Sequence, residues 1–278
     1  MDTDRLLCYN DPDVNNNRRS DVAVLPERST GTVLAVSELW FSYSDTPDVL
    51  QNINLEVMPG ERVGLIGPNG SGKTTFFLTV CGVLKPSAGE MLVLGMPVVN
   101  GDFRPDVGLV FQNPDDQLFC PSVRDDVAFG PRNMGLSKDE VEARVMEALS
   151  IVGGMKLADR PSHHLSEGEK RMVSIAGVLS MRPELVVYDE PSANLDIRSR
   201  RRLIRLLQAS QETILVASHD LELILEVCSR IVLIDGGRIV ADGNPREIMS
   251  DDRLMEAHGQ EKPHSLVPHR IPHHHGSE

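Results

Sequence analysis

Gly67-Pro68-Asn69-Gly70-Ser71-Gly72-Lys73-Thr74 decides how the rest of the chain is read. It satisfies G-x-x-x-x-G-K-[ST], the pattern of a phosphate-binding loop. Glycines permit a tight turn that aims backbone N–H groups inward, where they cradle phosphate oxygens. The Lys73 ammonium can reach the β- and γ-phosphates, and the Thr74 hydroxyl can ligate Mg²⁺. The flanks agree. Arg62–Ile66 reads as a short buried strand, and Thr75 to Val83 reads as a helix, so bound phosphate would lie at a helix N-terminus. A nucleoside triphosphate is the expected ligand.

Working outward, the segment before the loop has the character of an antiparallel β region. Residues 33–44 (VLAVSELWFSYS) alternate apolar and polar, and residues 52–67 read as strand, turn, strand about Pro59-Gly60. After the loop, residues 89–95 and Val107–Phe111 read as strands. Residues 121–158 read as helical, with Ser137 and Glu140 as a capping box and Val141, Val145, Ala148, Leu149 and Val152 at helical spacing. Glu169–Leu179 is a further expected helix. Leu185–Tyr188 and Thr213–Ala217 are apolar, β-branched runs suited to a parallel sheet covered on both faces. Ile197–Ser210 and Leu221–Val227 are the helices between and after them, and Arg230–Val240 reads as a hairpin about Asp235-Gly236-Gly237. Residues 1–33 are polar and are expected to form a disordered leader. Residues 256–278 are rich in Pro and His and are expected to form a flexible tail, leaving 34–255 as the folded domain.

Composition excludes several classes. The 278 residues carry 28 basic and 41 acidic side chains, a formal charge of −13, which disfavours non-specific nucleic-acid binding. Aromatic content of 4% leaves little for a base-stacking surface. No apolar run approaches the roughly 20 residues of a membrane span, and the N-terminal residues lack the apolar core of a secretory signal. The four cysteines are widely spaced and form no C-x-x-C, as expected of free thiols in a reducing compartment.

A second chemical feature is the apolar strand that ends in Asp189-Glu190. Asp189 would hold Mg²⁺, and Glu190 sits where a base could polarise the water attacking the γ-phosphate. Leu165-Ser166-Glu167-Gly168-Glu169, alone, is an ordinary helix cap. Its place between the phosphate loop and Asp189-Glu190 gives it more weight, because a serine hydroxyl, a glycine backbone and a helix N-terminus together make an anion site.

This order of motifs resembles the ATP-binding cassette (ABC) superfamily. Gln112 stands where that family has its Q-loop glutamine, Ser192-Ala193-Asn194-Leu195-Asp196 where it has the D-loop, and His219 where it has the switch histidine. Tyr43 stands where an aromatic ring stacks on adenine. Residues 110–119, 126–131 and 175–179 look like the ATPase subunit of energy-coupling-factor importers, with the cobalt and nickel branch the nearest match. The resemblance implies an α/β P-loop NTPase fold: a RecA-like core with a mostly parallel sheet, an antiparallel β subdomain, and an inserted helical subdomain over about 113–165 plus the signature helix 166–180. It implies ATP and Mg²⁺ as cofactors, and hydrolysis coupled to import of cobalt, nickel or a vitamin. Catalysis would fall to Glu190, His219 and Gln112. Nucleotide contacts would come from Tyr43, Gly67 to Thr75, Ser166, Gly168 and Asp196. Metal contacts would come from Thr74, Gln112 and Asp189. Two cassettes would pair head to tail, as a homodimer or with a paralogue, at the cytoplasmic face of a membrane. A transmembrane coupling subunit and a substrate-binding membrane component would complete the complex.

Three departures stand out, one being that the leader and the His-rich tail have no counterpart in the family. Glu167 replaces the first of two glycines common in the signature, and Asn194 stands where this branch often has glycine. The competing reading is a soluble ABC ATPase of translation or DNA repair. Against it stand the single cassette and the short interval from Gln112 to Ser166 (166 − 112 = 54 residues), which has no heptad run. The arginine-rich run 198–205 reads as a solvated helix face, and His163-His164 read as loop residues. His264, His269 and His273–His275 make either a plain tail or a metal-binding tract.

Overall fold

The structure is a computed structural model that describes residues 31–267. Most of the expected leader, and His269 and His273–His275, lie outside those residues.

The chain runs β1 (Leu34–Phe41), β2 (Leu50–Val57), β3 (Arg62–Ile66), α1 (Lys73–Val80), β4 (Ala88–Val93), β5 (Met96–Pro97) and β6 (Val107–Val110). It continues through α2 (Val123–Asn133), α3 (Lys138–Ile151), α4 (Glu167–Leu179), β7 (Leu185–Asp189), α5 (Ile197–Ala209) and β8 (Thr213–Ala217). It closes with α6 (Leu221–Val227), β9 (Arg230–Asp235), β10 (Arg238–Gly243), α7 (Pro245–Ser250) and α8 (Asp252–Ala257).

Two sheets result. An antiparallel sheet of order β2-β1-β4-β5 carries the N-terminal alternation. A six-stranded sheet of order β10-β9-β3-β8-β7-β6 is parallel throughout except for β10. Each strand of the parallel block feeds both of its faces, as the period of two requires. Val186, Tyr188, Ile214 and Val216 pack under the helical layer of α2 to α4, while Leu185, Val187, Leu215 and Ala217 pack toward the antiparallel sheet and α1. Register decides where the chemistry collects. Ala217 is level with Leu65 on one side and with Asp189 on the other, so β3, β8 and β7 end together at one edge.

Helix boundaries differ from expectation in informative ways. The helix after the phosphate loop starts at Lys73, two residues earlier than read, so Lys73 and Thr74 form its first turn. The helical stretch 121–158 is broken between Met134 and Ser137. The Ser137–Glu140 capping box starts the second piece as expected. The boundary placed at 255 is too early. Beyond it Gln260 and Pro263 are buried, and His258, Lys262 and the Ser265 backbone are hydrogen-bonded, contacts that a Pro- and His-rich composition does not announce. Among the described residues, no helix is long and apolar enough to cross a membrane.

Candidate functional site

The phosphate loop leaves β3 through Gly67 at φ +146°. A Cβ there would stand 1.9 Å from the carbonyl oxygen of Ile234 on β9, so the position excludes any side chain. The loop enters α1 through Gly72, also at positive φ, and no side chain caps the helix. Its first-turn N–H groups are therefore available to an anion. Lys73 Nζ is turned inward and donates to the carbonyls of Gly67 (2.8 Å) and Pro68 (2.9 Å). Burial lowers its pKa, against the opposing pull of Glu190 and Asp189. Ser71 Oγ is buried with no hydrogen-bond partner. An orphaned hydroxyl, an uncapped helix and an ammonium folded onto its own loop fit a triphosphate.

Asp189 ends β7 and accepts the Thr74 hydroxyl at 2.8 Å. Burial raises its pKa, the Thr74 bond and the nearby Lys73 charge countering in part. A hydroxyl and a carboxylate side by side are the hard oxygen donors that suit Mg²⁺. Glu190, the next residue, sits at φ +44°, and its N–H donates to Ala217. A non-glycine residue held in the left-handed region beside such a pair is strain of the kind that clusters at working sites. Its Oε2 accepts the His219 N–H (3.1 Å) and the Ser218 hydroxyl (3.4 Å). Its Oε1 is buried with no hydrogen-bond partner, with His219 Nε2 at 3.5 Å. Burial raises the Glu190 pKa as well.

These groups line one cleft of about 860 Å³ together with Tyr43, Gln112, Ser192, Arg200 and Asp220. A cavity of about 790 Å³ lined by Pro59, Glu184 and Thr213 lies away from every motif, so it is the 860 Å³ cleft that has the equipment for chemistry. Tyr43 packs edge-on against Phe41, its hydroxyl 3.3 Å from Thr75 Oγ1, with much of its ring exposed.

Five expected residues do not line this cleft: Gly67 and Pro68, whose carbonyls hold Lys73, and Ser166, Gly168 and Asp196, which stand apart. Ser166 caps α4 in a reciprocal capping box with Glu169. Gly168 packs so closely on α5 that a Cβ would stand 2.2 Å from Ser199 Oγ. Asp196 caps α5 by accepting the Ser199 N–H at 2.6 Å. Ser199 thus joins the signature to the D-loop within one protomer, while both stand apart from the phosphate loop of the same chain. Asn194 has φ +61°, a conformation that asparagine tolerates where glycine is the common choice.

Sequence reading missed several contributors. Arg171, buried in α4, donates to the carbonyls of Phe111 and Gln112 and so ties the Q-loop to the signature helix. Arg200 belongs to the run read as solvated, yet it lines the cleft and pairs with Asp220, and Arg201 pairs with Glu226. The four-residue spacing of apolar Leu203 and Leu207 was the available signal that one face of this helix is buried. His163 and His164 stack edge-on in a 3₁₀ turn, and no group of three or more potential metal ligands occurs among the described residues.

Comparison with known proteins agrees with the geometry. A family model described as ABC transporter matches residues 50–193, just over half of the chain. A putative ABC transporter ATP-binding protein of Synechocystis is 55% identical over 84% of this chain and 82% of its own. The energy-coupling factor transporter ATP-binding protein EcfA of Methanothermobacter thermautotrophicus is 47% identical over 80% of this chain and 74% of its own. Among solved structures, CbiO1 of Clostridium perfringens, described as part of the ABC transporter complex CbiONQ, superposes with a TM-score of 0.72 at 37% identity, covering 82% of this chain and 94% of that one. With the phosphate loop, the carboxylate pair and the signature helix arranged on this fold, the chain belongs to the ABC transporter family, as an ATPase of the energy-coupling-factor and CbiO type that uses ATP and Mg²⁺.

Proposed function

We propose that the chain powers an importer of the energy-coupling-factor kind, with a transition-metal ion (cobalt or nickel) or a vitamin as cargo, from the cytoplasmic face of the membrane. The observation that carries this reading is an aromatic groove beside the Q-loop. Phe103, Phe119 and Phe129 are 57%, 64% and 47% exposed around a cavity of about 250 Å³, which Phe111 also lines. Phe119 and Phe129 meet edge to face at 5.0 Å. Contiguous exposed apolar surface of this kind marks an interaction site. Phe111 is bonded through the chain to Gln112, which reaches the nucleotide cleft. An apolar helix face of a transmembrane coupling subunit, seated in the groove, would feel what Gln112 senses.

The residues support a division of labour. Lys73 and the first turn of α1 hold the phosphates of ATP. Thr74, Asp189 and Gln112 would hold Mg²⁺, which when bound spreads the negative charge of the phosphate oxygens. Glu190 takes the proton of the attacking water at Oε1, while the His219 N–H holds Oε2 in place. Ser166 and Gly168 serve the phosphate loop of a second cassette, so each ATP contacts two subunits and its hydrolysis releases the interface. One chain carries both halves, so a homodimer has two complete sites, and a paralogous cassette can substitute for one copy.

The soluble alternative loses ground here, because residues 112–166 hold two helices of 11 and 14 residues in place of a long coiled coil. The test is co-expression with the membrane partners. Phe119→Asp with Phe129→Asp should leave ATP hydrolysis by the free chain intact and abolish its recovery in the membrane fraction. Stable association of the wild type with ribosomes or DNA would sink the transport reading.

A further inference from the structure

We infer that residues 258–267 form a strap that positions two corners of the nucleotide site from behind, the phosphate loop at one end and the His219 corner at the other. The inference rests on the roles proposed above for Lys73 and His219.

The near end of the strap follows α8. The chain reverses at Gly259, φ +62°, where the Gln260 N–H donates to Met255 at 2.8 Å. A Cβ on Gly259 would lie 4.0 Å from the Pro68 ring, so the turn is seated against the phosphate loop. His258 Nδ1–H donates to Asp235 Oδ2 at 2.8 Å. Asp235 ends β9 one residue beyond Ile234, whose carbonyl oxygen closes over Gly67. The carbonyls of Gly67 and Pro68 are the two that hold the Lys73 ammonium. A shift of this turn therefore moves the groups that aim Lys73.

In the middle, Lys262 Nζ donates to the Ser250 carbonyl (3.0 Å) and to Asp252 (2.9 Å), and Pro263 is buried. At the far end the Ser265 N–H donates to Glu222 Oε1 at 2.9 Å. Glu222 lies in the first turn of α6, three residues beyond His219, and Asp220 caps that same helix. The start of α6 sets where the His219 N–H meets Glu190. No strap residue lines the cleft. His258 and Glu222 are thus positioning residues, each acting on a different part of the reaction.

The test uses the full chain and reads binding and turnover separately. His258→Ala should weaken Mg·ATP binding, by calorimetry and by KM, roughly 3- to 10-fold with kcat within about twofold. Glu222→Ala should lower kcat roughly 3- to 10-fold with KM within about twofold. His258→Asn keeps an N–H donor near Nδ1, and Glu222→Gln keeps an acceptor oxygen. Both should recover most of the loss. Equal shifts in KM and kcat for both alanine variants would overturn the strap, as would lower melting temperatures with unchanged kinetics, or no recovery by the conservative variants. Glu190→Gln is measured alongside, because the His219 group that meets Glu190 is its backbone N–H, which an alanine would keep. If its kcat is normal, the proposed role of the Glu190–His219 corner fails and the α6 end of the strap falls with it. If its kcat drops while Glu222→Ala is normal, the strap alone is refuted.

Discussion

Replacing Glu190 by glutamine should separate holding ATP from cleaving it. The carboxylate is asymmetric in its surroundings. Oε2 faces two donors, the His219 N–H and the Ser218 hydroxyl, while Oε1 is buried with no hydrogen-bond partner. A glutamine must turn its carbonyl oxygen to those donors, so its NH₂ takes the Oε1 position and offers a donor where the water needs an acceptor. A positioned general base contributes about 10²–10⁴ in rate, so kcat should fall by that factor, or about 3–5 kcal/mol of barrier. ATP binding should hold or tighten, because a carboxylate facing the triphosphate is removed. Phosphate release and gel filtration with ATP read the two effects, the second as a retained dimer. The pH dependence has a fixed sign. Burial raises the Glu190 pKa above 4.5, and the base works only when ionised. Wild-type kcat therefore falls as pH drops through the raised value, and that limb is absent in the variant. In the unliganded protein, the stability contributed by this group is fully present below 4.5 and lost as pH rises through the raised value. Glu190→Gln should melt above wild type at neutral pH, and the difference should close in acid. A kcat within threefold of wild type, or weakened ATP binding, would refute Glu190 as the base.

Lys73→Ala removes two charge-assisted bonds to the loop and the ammonium that meets phosphate. At about 1.5–3 kcal/mol for a hydrogen bond to a charged group, Mg·ATP affinity should fall roughly 10- to 150-fold by calorimetry. Unchanged affinity contradicts the phosphate-loop assignment. Gly168→Ala drives a methyl group to 2.2 Å from Ser199 Oγ and 2.9 Å from its Cβ. Overpacking of this sort costs about 1–3 kcal/mol and should lower the melting temperature by roughly 2–10 °C. Ser199→Gly removes both atoms. Adding Gly168→Ala to that variant should cost almost nothing further, and a full loss there would show that Ser199 is not what the glycine accommodates.

What the sequence revealed and what it hid divide along physical lines. The phosphate loop was legible because its chemistry needs glycines, a lysine and a threonine at fixed spacing within eight residues. Asp189-Glu190 was legible because two carboxylates ending a β-branched run are rare without a task. Ser166 announced itself as a cap, and the capping box with Glu169 is local, closing over three residues. Arg171 was hidden because its partners are backbone carbonyls 59 and 60 residues away, and a carbonyl has no sequence signature. The Gly168–Ser199 contact was hidden for the same reason, since close approach between helices leaves no mark but a small residue. Residues 256–267 were misread as tail because composition there is polar. Their order comes from His258 and the Ser265 backbone meeting acidic groups 23 and 43 residues away, which only the fold brings near, and from Lys262 reaching back to Asp252.

The order of the central sheet bears on how the chain is made. β3, which carries the phosphate loop, lies between β9 and β8, and both neighbours are encoded far downstream. From Ile66 to Thr213 the ribosome adds 213 − 66 = 147 residues. At about 5–20 residues per second, β3 waits roughly 7–30 s with both of its hydrogen-bonding edges unpaired. During synthesis, Val63 and Leu65 have the N-terminal sheet and α1 as shelter, while Ile66 faces the helical layer. The strand that feeds the phosphate loop therefore closes late, and the nascent chain exposes its edges to aggregation and to chaperones until β8 and β9 arrive.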